Sequence, residues 1–364
     1  MPAANTISLI GDGKNLDQRI WRIIADRFRV SVHTLEKVAE RERLADGLHI
    51  FCLSDLRRQM FTLARVLAAS PGRALFILAN PTDEDRVIAR ELGALGLLSQ
   101  FASEDDIATA VRRAANRFVE RAWSEMKPEE EAALRASLAS FDKVMTSGAD
   151  GEPLPLVEVF EACVRIQDSL GVSDVNRWLG ALASHHDNTY RHSMYVCGAL
   201  AFFARALGIQ GEDLKEVTVG GFLHDAGKSM IPLAILDKPG KLDDDEWAVM
   251  KRHPEHSREI LLRENGLNER VVHMAVHHHE RLDGAGYPDR LSAVDLDDPT
   301  RLTAIADVYA ALTEDRPYKR AMAPEAALDL MGTFKGHLDL DLVRVFRDFM
   351  LDQRARQASF AATG

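Results

Sequence analysis

A chain of 364 residues exceeds the usual size of one domain and suits two, each able to bury a core of its own. Its net charge of −11 argues against broad binding to nucleic acid or to an anionic membrane, which needs an excess of Lys and Arg. Three scattered cysteines, Cys52, Cys163 and Cys197, offer neither a disulfide framework nor a thiolate zinc site, so a reducing cytoplasm is the expected compartment.

The opening segment MPAANTISLIGDGKN lacks the basic and long apolar run of a signal peptide. Residues 1–120 then alternate short apolar runs with helix-length segments. Strands are predicted at Ile7–Ile10, Val30–Val32, His49–Leu53, Ala74–Ala79 and Ala94–Leu98, and such alternation indicates a parallel sheet covered on both faces. In order, length and strand placement this stretch resembles a response-regulator receiver domain. The places where receivers carry an acidic pair, a phosphate-accepting aspartate, a Thr/Ser and a lysine fall here on Gly11-Asp12, Ser54, Ala79 and Gln100. With Ser54 at the acceptor position, the reading is a degenerate receiver without a phosphoacceptor, used for docking or dimerisation.

From Glu104 to about Met145 the chain reads as helix, restarting at Lys127-Pro128 because proline is tolerated in a first turn. Leu134, Leu138, Phe141 and Met145 form one apolar stripe, suited to core packing or to a dimeric coiled coil. The breaker Ser147–Pro153 marks the expected domain boundary, with 121–152 as a helical linker, 153–352 as the second domain and 353–364 as a tail. Helices are predicted over Leu154–Leu170, Asp174–Ala183, Thr189–Leu207, Asp213–Leu223, Asp243–Arg263, Glu269–Glu280, Pro299–Thr313 and Pro324–Phe334, an all-α bundle. The longest apolar stretch, Met194 to Ala204, is too short to span a bilayer.

Ten of the thirteen histidines fall between His185 and His279, so the enrichment is regional. His224-Asp225 closes an apolar helix. A carboxylate can bridge two cations while the adjacent imidazole binds one of them, which serves a metal pair roughly 3.5–4 Å apart. Lys228 lies four residues past His224, on the same face if the helix continues, where an ammonium can hold a phosphate. Asp307 lies in an apolar helix with no basic residue within a turn, where a lone carboxylate is costly unless a cation compensates it. His192 alone reads as a core histidine and His253 alone as part of a charged face. Successive helical residues diverge by about 100°, so two of His277, His278 and His279 can approach one metal while the third turns elsewhere. The loop Asp283-Gly284-Ala285-Gly286-Tyr287-Pro288 follows directly and reads as a wall of the site.

His-Asp-Ala-Gly-Lys at 224–228, His-Pro at 253–254, His-His-Glu-Arg-Leu-Asp-Gly-Ala-Gly-Tyr-Pro at 278–288 and Asp-Val-Tyr-Ala-Ala-Leu-Thr-Glu-Asp-Arg-Pro-Tyr at 307–318 together resemble the HD-GYP family. This is a branch of the HD metal-dependent phosphohydrolases that cleaves cyclic di-GMP, and the four motifs occur in order. The resemblance implies an HD-type helical bundle in which His192, His224, Asp225 and Asp307 hold one metal. Asp225 bridges to a second, held by His253, His278 and His279. Lys228 is implied at the scissile phosphate, and Tyr287, Arg316 and Lys319 at the dinucleotide. Some members hold a third metal with a glutamate four residues before the first histidine; Asn188 stands there, so two metals are expected. Iron or manganese is favoured, with zinc, nickel and cobalt also compatible with histidine-rich, thiolate-free ligation.

The expected reaction is hydrolysis of cyclic di-GMP to pGpG, and on to GMP, by hydroxide activated between the metals. Alternatives are another cyclic dinucleotide as substrate, or a low-turnover adaptor. Expected partners are the cyclic dinucleotide, a candidate signalling protein and a candidate homodimer, with no nucleic-acid polymer and no membrane.

Overall fold

Five short parallel strands organise the N-terminal part. The computed structural model describes residues 6–12, 17–40, 44, 47–68, 72–172, 175–183, 185–238, 240–315 and 320–361. The chain divides into two compact units, Met1–Glu125 with Ser184–Asp187, and Met126–Ala183 with Asn188–Gly364.

In the first unit the order is β1 (Thr6–Gly11), α1 (Gln18–Ala25), β2 (Arg29–Thr34), α2 (Leu35–Ala39), β3 (His49–Leu53), α3 (Leu56–Ala68), β4 (Ala74–Leu78), α4 (Asp83–Glu91), β5 (Gly96–Ser99) and α5 (Glu104–Ala122). The strands pair in parallel in the order β2-β1-β3-β4-β5, a doubly wound sheet. Successive residues of a strand face opposite sides. Ile10, Phe51, Leu53, Phe76 and Leu78 pack with α2, α3 and α4, while Ile7, Leu9, Ile50, Leu75 and Ile77 pack with α1 and α5. Burial on both faces explains the continuous apolar runs in the sequence. At the end of β3, Ser54 donates through its backbone N–H and its hydroxyl to Asp12 Oδ2, at 2.8 and 2.7 Å.

The second unit is helical: α6 (Pro128–Asp150), α7 (Leu156–Val172), α8 (Val175–Leu182), α9 (Asn188–Ala206), α10 (Gly211–Leu223), a 3-10 turn (Ala226–Met230), α11 (Leu233–Leu236), α12 (Asp244–Met250), α13 (His253–Leu261), α14 (Glu269–His277), α15 (Asp298–Thr313), α16 (Pro324–Met331) and α17 (Leu340–Ala361). Among the described residues, no helix is long and apolar enough to cross a membrane.

Three sequence expectations change here. Helix α6 runs through Ser147–Asp150 and ends on Gly151 at φ 72°, a left-handed conformation that glycine adopts without strain. Its buried stripe is Leu134, Ser137, Phe141 and Val144, while Leu138 and Met145 are only half-buried, so α6 belongs to the helical unit. The helix expected over Asp243–Arg263 is two, α12 and α13, because Pro254 lacks an N–H to continue the first and is preorganised to start the second. Helix α10 stops at Leu223 with His224 as its C-cap, so Lys228 is carried by the 3-10 turn and not by a continued α-helix.

Candidate metal centre

Five helices of the second unit and one tight turn deliver the titratable side chains to a single buried cluster. His192 comes from the first turns of α9, His224 and Asp225 from the end of α10, His253 from the start of α13, His278 and His279 from the end of α14, and Asp307 from α15. All but His279 are buried, and His279 is half-buried. One donor atom from each of His192, His224 and Asp307 falls within 4.8 Å of the others, as do those of His253, His278 and His279 and those of His224, Asp225 and His278.

Asp225 joins these groups. Its Oδ2 lies 3.2 Å from His224 Nε2 and 3.7 Å from His192 Nε2, and its Oδ1 lies 3.2 Å from His253 Nε2 and 3.9 Å from His278 Nε2. Each carboxylate oxygen thus faces a different pair of imidazoles. On the far side of His192, its Nε2 lies 2.9 Å from Asp307 Oδ1, and Asp307 Oδ2 lies 3.7 Å from His279 Nδ1.

The ring orientations have a common cause. The Nδ1–H groups of His224, His253 and His278 donate to the carbonyls of Gly221, Met250 and Ala275, at 2.8, 2.9 and 2.9 Å. In each case the acceptor lies three residues earlier, in the last turn of a helix, where carbonyls lack an intrahelical donor. Fixing the proton on Nδ1 turns the Nε2 lone pair into the cluster.

The electrostatics suit cations. Burial drives His253 down to about 3 and His279 down to about 4, and it holds His278 well below the ordinary imidazole value, so all three are neutral donors. Burial opposes ionisation of Asp225, yet Lys228 and His224 hold its carboxyl well below the usual range; His192 and His279 do the same for Asp307. Burial would lower His192, but Glu314 and Asp307 outweigh it and raise it to about 8. His224 Nε2 and Asp225 Oδ1 are buried without a hydrogen-bond partner. Two orphaned acceptors in a cluster of neutral imidazoles and ionised carboxylates fit divalent cations, which would satisfy both.

Lys228 Nζ donates to Asp225 Oδ2 at 2.5 Å, which places an ammonium at the edge of the cluster. The wall residues are ordered by Glu280, which is buried and accepts from the backbone N–H of Asp289 at 2.6 Å and from those of Arg290 and Leu291. Gly286 passes so close that an added Cβ would lie 2.4 Å from Glu280 Cα. Tyr287 stacks on His279 with ring centroids 4.9 Å apart, and its burial beside Asp307 and Asp225 raises the phenol and keeps it neutral. Asp283 sits at the outer end, forked by Arg281 and capping the N–H of Ala285, with Gly284 and Pro288 completing the loop. His277 turns out of the cluster to Asp289, which also pairs with Arg258. Arg316 and Lys319 lie outside the described residues.

Glu314 escaped the sequence reading. It caps α15, is buried, and accepts from His192 Nδ1 at 2.9 Å. The signal was spacing: seven residues separate it from Asp307, so both project from nearly one face of α15.

With the buried His/Asp cluster of the helical unit in view, residues 178–342 match the family described as the HD domain. Among curated proteins, the chain is 39% identical over 165 residues to a cyclic di-GMP phosphodiesterase of Pseudomonas aeruginosa, covering 45% of this chain and 40% of that protein. It is 35% identical over 183 residues to 3'3'-cGAMP-specific phosphodiesterase 1 of Vibrio cholerae, covering 50% and 42%. It is 42% identical over 139 residues to a cyclic di-GMP phosphodiesterase response regulator of Xanthomonas campestris pv. campestris, covering 37% and 36%. The chain thus spans about two fifths of the length of these relatives.

Proposed function

We propose that this chain is a metal-dependent phosphodiesterase that hydrolyses cyclic di-GMP to pGpG, with GMP as the product of a second cleavage. Two divalent ions, iron or manganese, would be held by His192, His224 and Asp307 together with one oxygen of Asp225, and by His253, His278 and His279 together with the other. The observation that carries this reading is the opposed presentation of the two Asp225 oxygens to two sets of imidazole nitrogens. A nitrogen and carboxylate donor set without thiolate supports iron or manganese. Bound there, divalent ions supply Lewis acidity, lowering the pKa of water and neutralising charge on phosphoryl oxygens.

The chain's own residues supply the rest. Asp225 and Asp307, both held ionised, are acceptors for the proton that an attacking water loses. Lys228 leans from the 3-10 turn to meet a non-bridging phosphate oxygen, where its charge stabilises the added negative charge as a P–O bond forms and the P–O3′ bond breaks. The leaving 3′-oxygen takes a proton, which gives a linear product with a 5′-phosphate. Tyr287, neutral and stacked on His279, offers a ring face for a base and a hydroxyl to donate. Arg316 and Lys319 are proposed as further contacts to the dinucleotide.

A second reading, 3'3'-cGAMP as substrate, is favoured by the 183-residue alignment with the Vibrio cholerae phosphodiesterase. The deciding experiment is an anaerobic assay of protein reconstituted with Fe(II) or Mn(II) and given each cyclic dinucleotide in parallel, with metal counted per chain. Linear pGpG from cyclic di-GMP with about two metals is the expected result. Faster turnover of 3'3'-cGAMP moves the substrate assignment, and no product with two bound metals leaves an adaptor role. The proposed compartment is the cytoplasm, and the proposed protein contacts are a homodimer and a signalling partner of the first unit.

A further inference from the structure

His192 differs from the other ligand imidazoles in how its ring is held. His224, His253 and His278 each lie where a helix ends or begins, and each donates Nδ1–H to a carbonyl freed by that terminus. His192 lies inside α9, fifth from its first residue Asn188, where the carbonyls one turn back serve the helix itself. No spare carbonyl is present to fix its tautomer. The acceptor that replaces it comes from another helix: Glu314 Oε2, 2.9 Å from His192 Nδ1.

Glu314 is itself held. Its Oε1 accepts from Arg191 Nε at 3.4 Å, and the same guanidinium donates through Nη2 to Asn188 Oδ1 and to the Asp315 carbonyl, each at 2.9 Å. Two residues of the first turns of α9, Arg191 and His192, therefore clasp the cap of α15, and Asn188 accepts from the Arg191 guanidinium. The imidazole of His192 is bracketed by two carboxylates of one helix, Asp307 at Nε2 and Glu314 at Nδ1. Glu314 is 6% and Arg191 8% exposed, so the clasp is shielded from competing water.

We propose that Glu314 is a positioning residue: by accepting the Nδ1 proton of His192 it aims the Nε2 lone pair at the cation shared with Asp307, while Arg191, itself steadied by Asn188, holds its carboxylate in place. The inference rests on the metal-centre reading above. An outer carboxylate of this kind typically contributes about 10–100-fold to metal affinity, because without it the ring is free to rotate and to carry its proton on Nε2.

The test is calorimetric titration of the full metal-free chain with Mn(II) alone, so it does not depend on the nucleotide. Glu314→Ala is expected to weaken one of two Mn(II) sites by about 10–100-fold and to leave the other as in the wild type. Glu314→Gln keeps an acceptor oxygen and is expected to stay within a few-fold of the wild type. Glu314→Met, of similar length but without the acceptor, is expected to behave as alanine, and it serves should alanine compromise folding. In a His192→Ala background, Glu314→Ala is expected to add nothing. At saturating Mn(II), Glu314→Ala is expected to lower kcat on cyclic di-GMP with KM unchanged. Unaltered Mn(II) affinity in both Glu314→Ala and Glu314→Met, or a full additional loss in the His192→Ala background, overturns the proposal. Failure of the chain to cleave any cyclic dinucleotide would sink the proposed activity while the Mn(II) titrations still decide the role of Glu314. A wild type that binds no Mn(II) overturns both.

Discussion

The Met250 carbonyl accepts a hydrogen bond from His253 Nδ1 at 2.9 Å. That carbonyl is free because the residue four positions on, Pro254, has no N–H to offer it. The His-Pro pair is thus one device: the proline ends α12, starts α13 and leaves an oxygen that turns His253 Nε2 toward Asp225. Pro254→Ala restores a competing donor. It is expected to weaken Mn(II) binding several-fold with little change in thermal stability, since alanine is also accepted in a helix's first turn. Titration with Mn(II) and a melting curve of the same sample check it, and unchanged affinity would mean the carbonyl is held by something else.

Asp225→Asn keeps the shape of the side chain and removes the charge that faces both imidazole groups. Metal content is expected to fall below two per chain and hydrolysis to background. Metal analysis beside a chromatographic assay reads both quantities. Two metals retained per chain would count against the bridge.

Lys228 ligates nothing in the cluster; its ammonium meets Asp225 Oδ2 at the edge. Lys228→Met is therefore expected to keep two bound metals and to lower kcat/KM by about 10²–10³-fold, the scale of losing one aimed donor to a developing charge. Loss of metal along with rate would instead make Lys228 part of how the site assembles.

How far the sequence reveals this centre depends on the kind of signal. Histidines and carboxylates are distinctive in type, so His192, His224, Asp225, His253, His278, His279 and Asp307 stand out even though 115 positions separate the first from the last. The apolar strands of the first unit are equally plain, because burial on both faces gives unbroken apolar runs, Ile50–Leu53 in β3 and Ala74–Leu78 in β4. Glu314 is not plain, since its role exists only once α9 and α15 pack. Helix α17 is hidden in the sequence although Val343, Phe346 and Met350 are buried at helical spacing, because dense charge between them masks the stripe. Whether the helix continues to Lys228 is not legible, because nothing in Ala226-Gly227 distinguishes a 3-10 turn from an α-helical one.

In the first unit, the acceptor position holds Ser54, whose N–H and hydroxyl are both taken up by Asp12. Ser54→Asp sets a carboxylate against Asp12 and removes the hydroxyl bond while keeping the backbone N–H, a local cost at an exposed edge. Turnover of cyclic di-GMP by the full chain is expected to stay within about twofold of the wild type, as surface changes away from a site usually do. A several-fold change in kcat would establish that the unit still works as a charge-operated switch.

Asp297 caps α15, the helix that carries Asp307 and Glu314. Its carboxylate accepts from the Thr300 N–H at 3.1 Å and lies 3.6 Å from His273 Nδ1. Burial raises its pKa, but the nearby His273 imidazole and the hydrogen bonding to Thr300 outweigh this and bring it to about 2. Because the folded value lies below the unfolded value of about 3.9, the carboxylate stabilises the fold above about pH 4, and that contribution disappears as the pH falls toward 2. Asp297→Ala is expected to cost about 1 kcal/mol at pH 7 through loss of the cap. Denaturant melts of the two proteins are expected to converge as the pH falls from about 4 to about 2. A gap that stays constant down to pH 2 would show that the capping contribution does not depend on ionisation of this carboxylate.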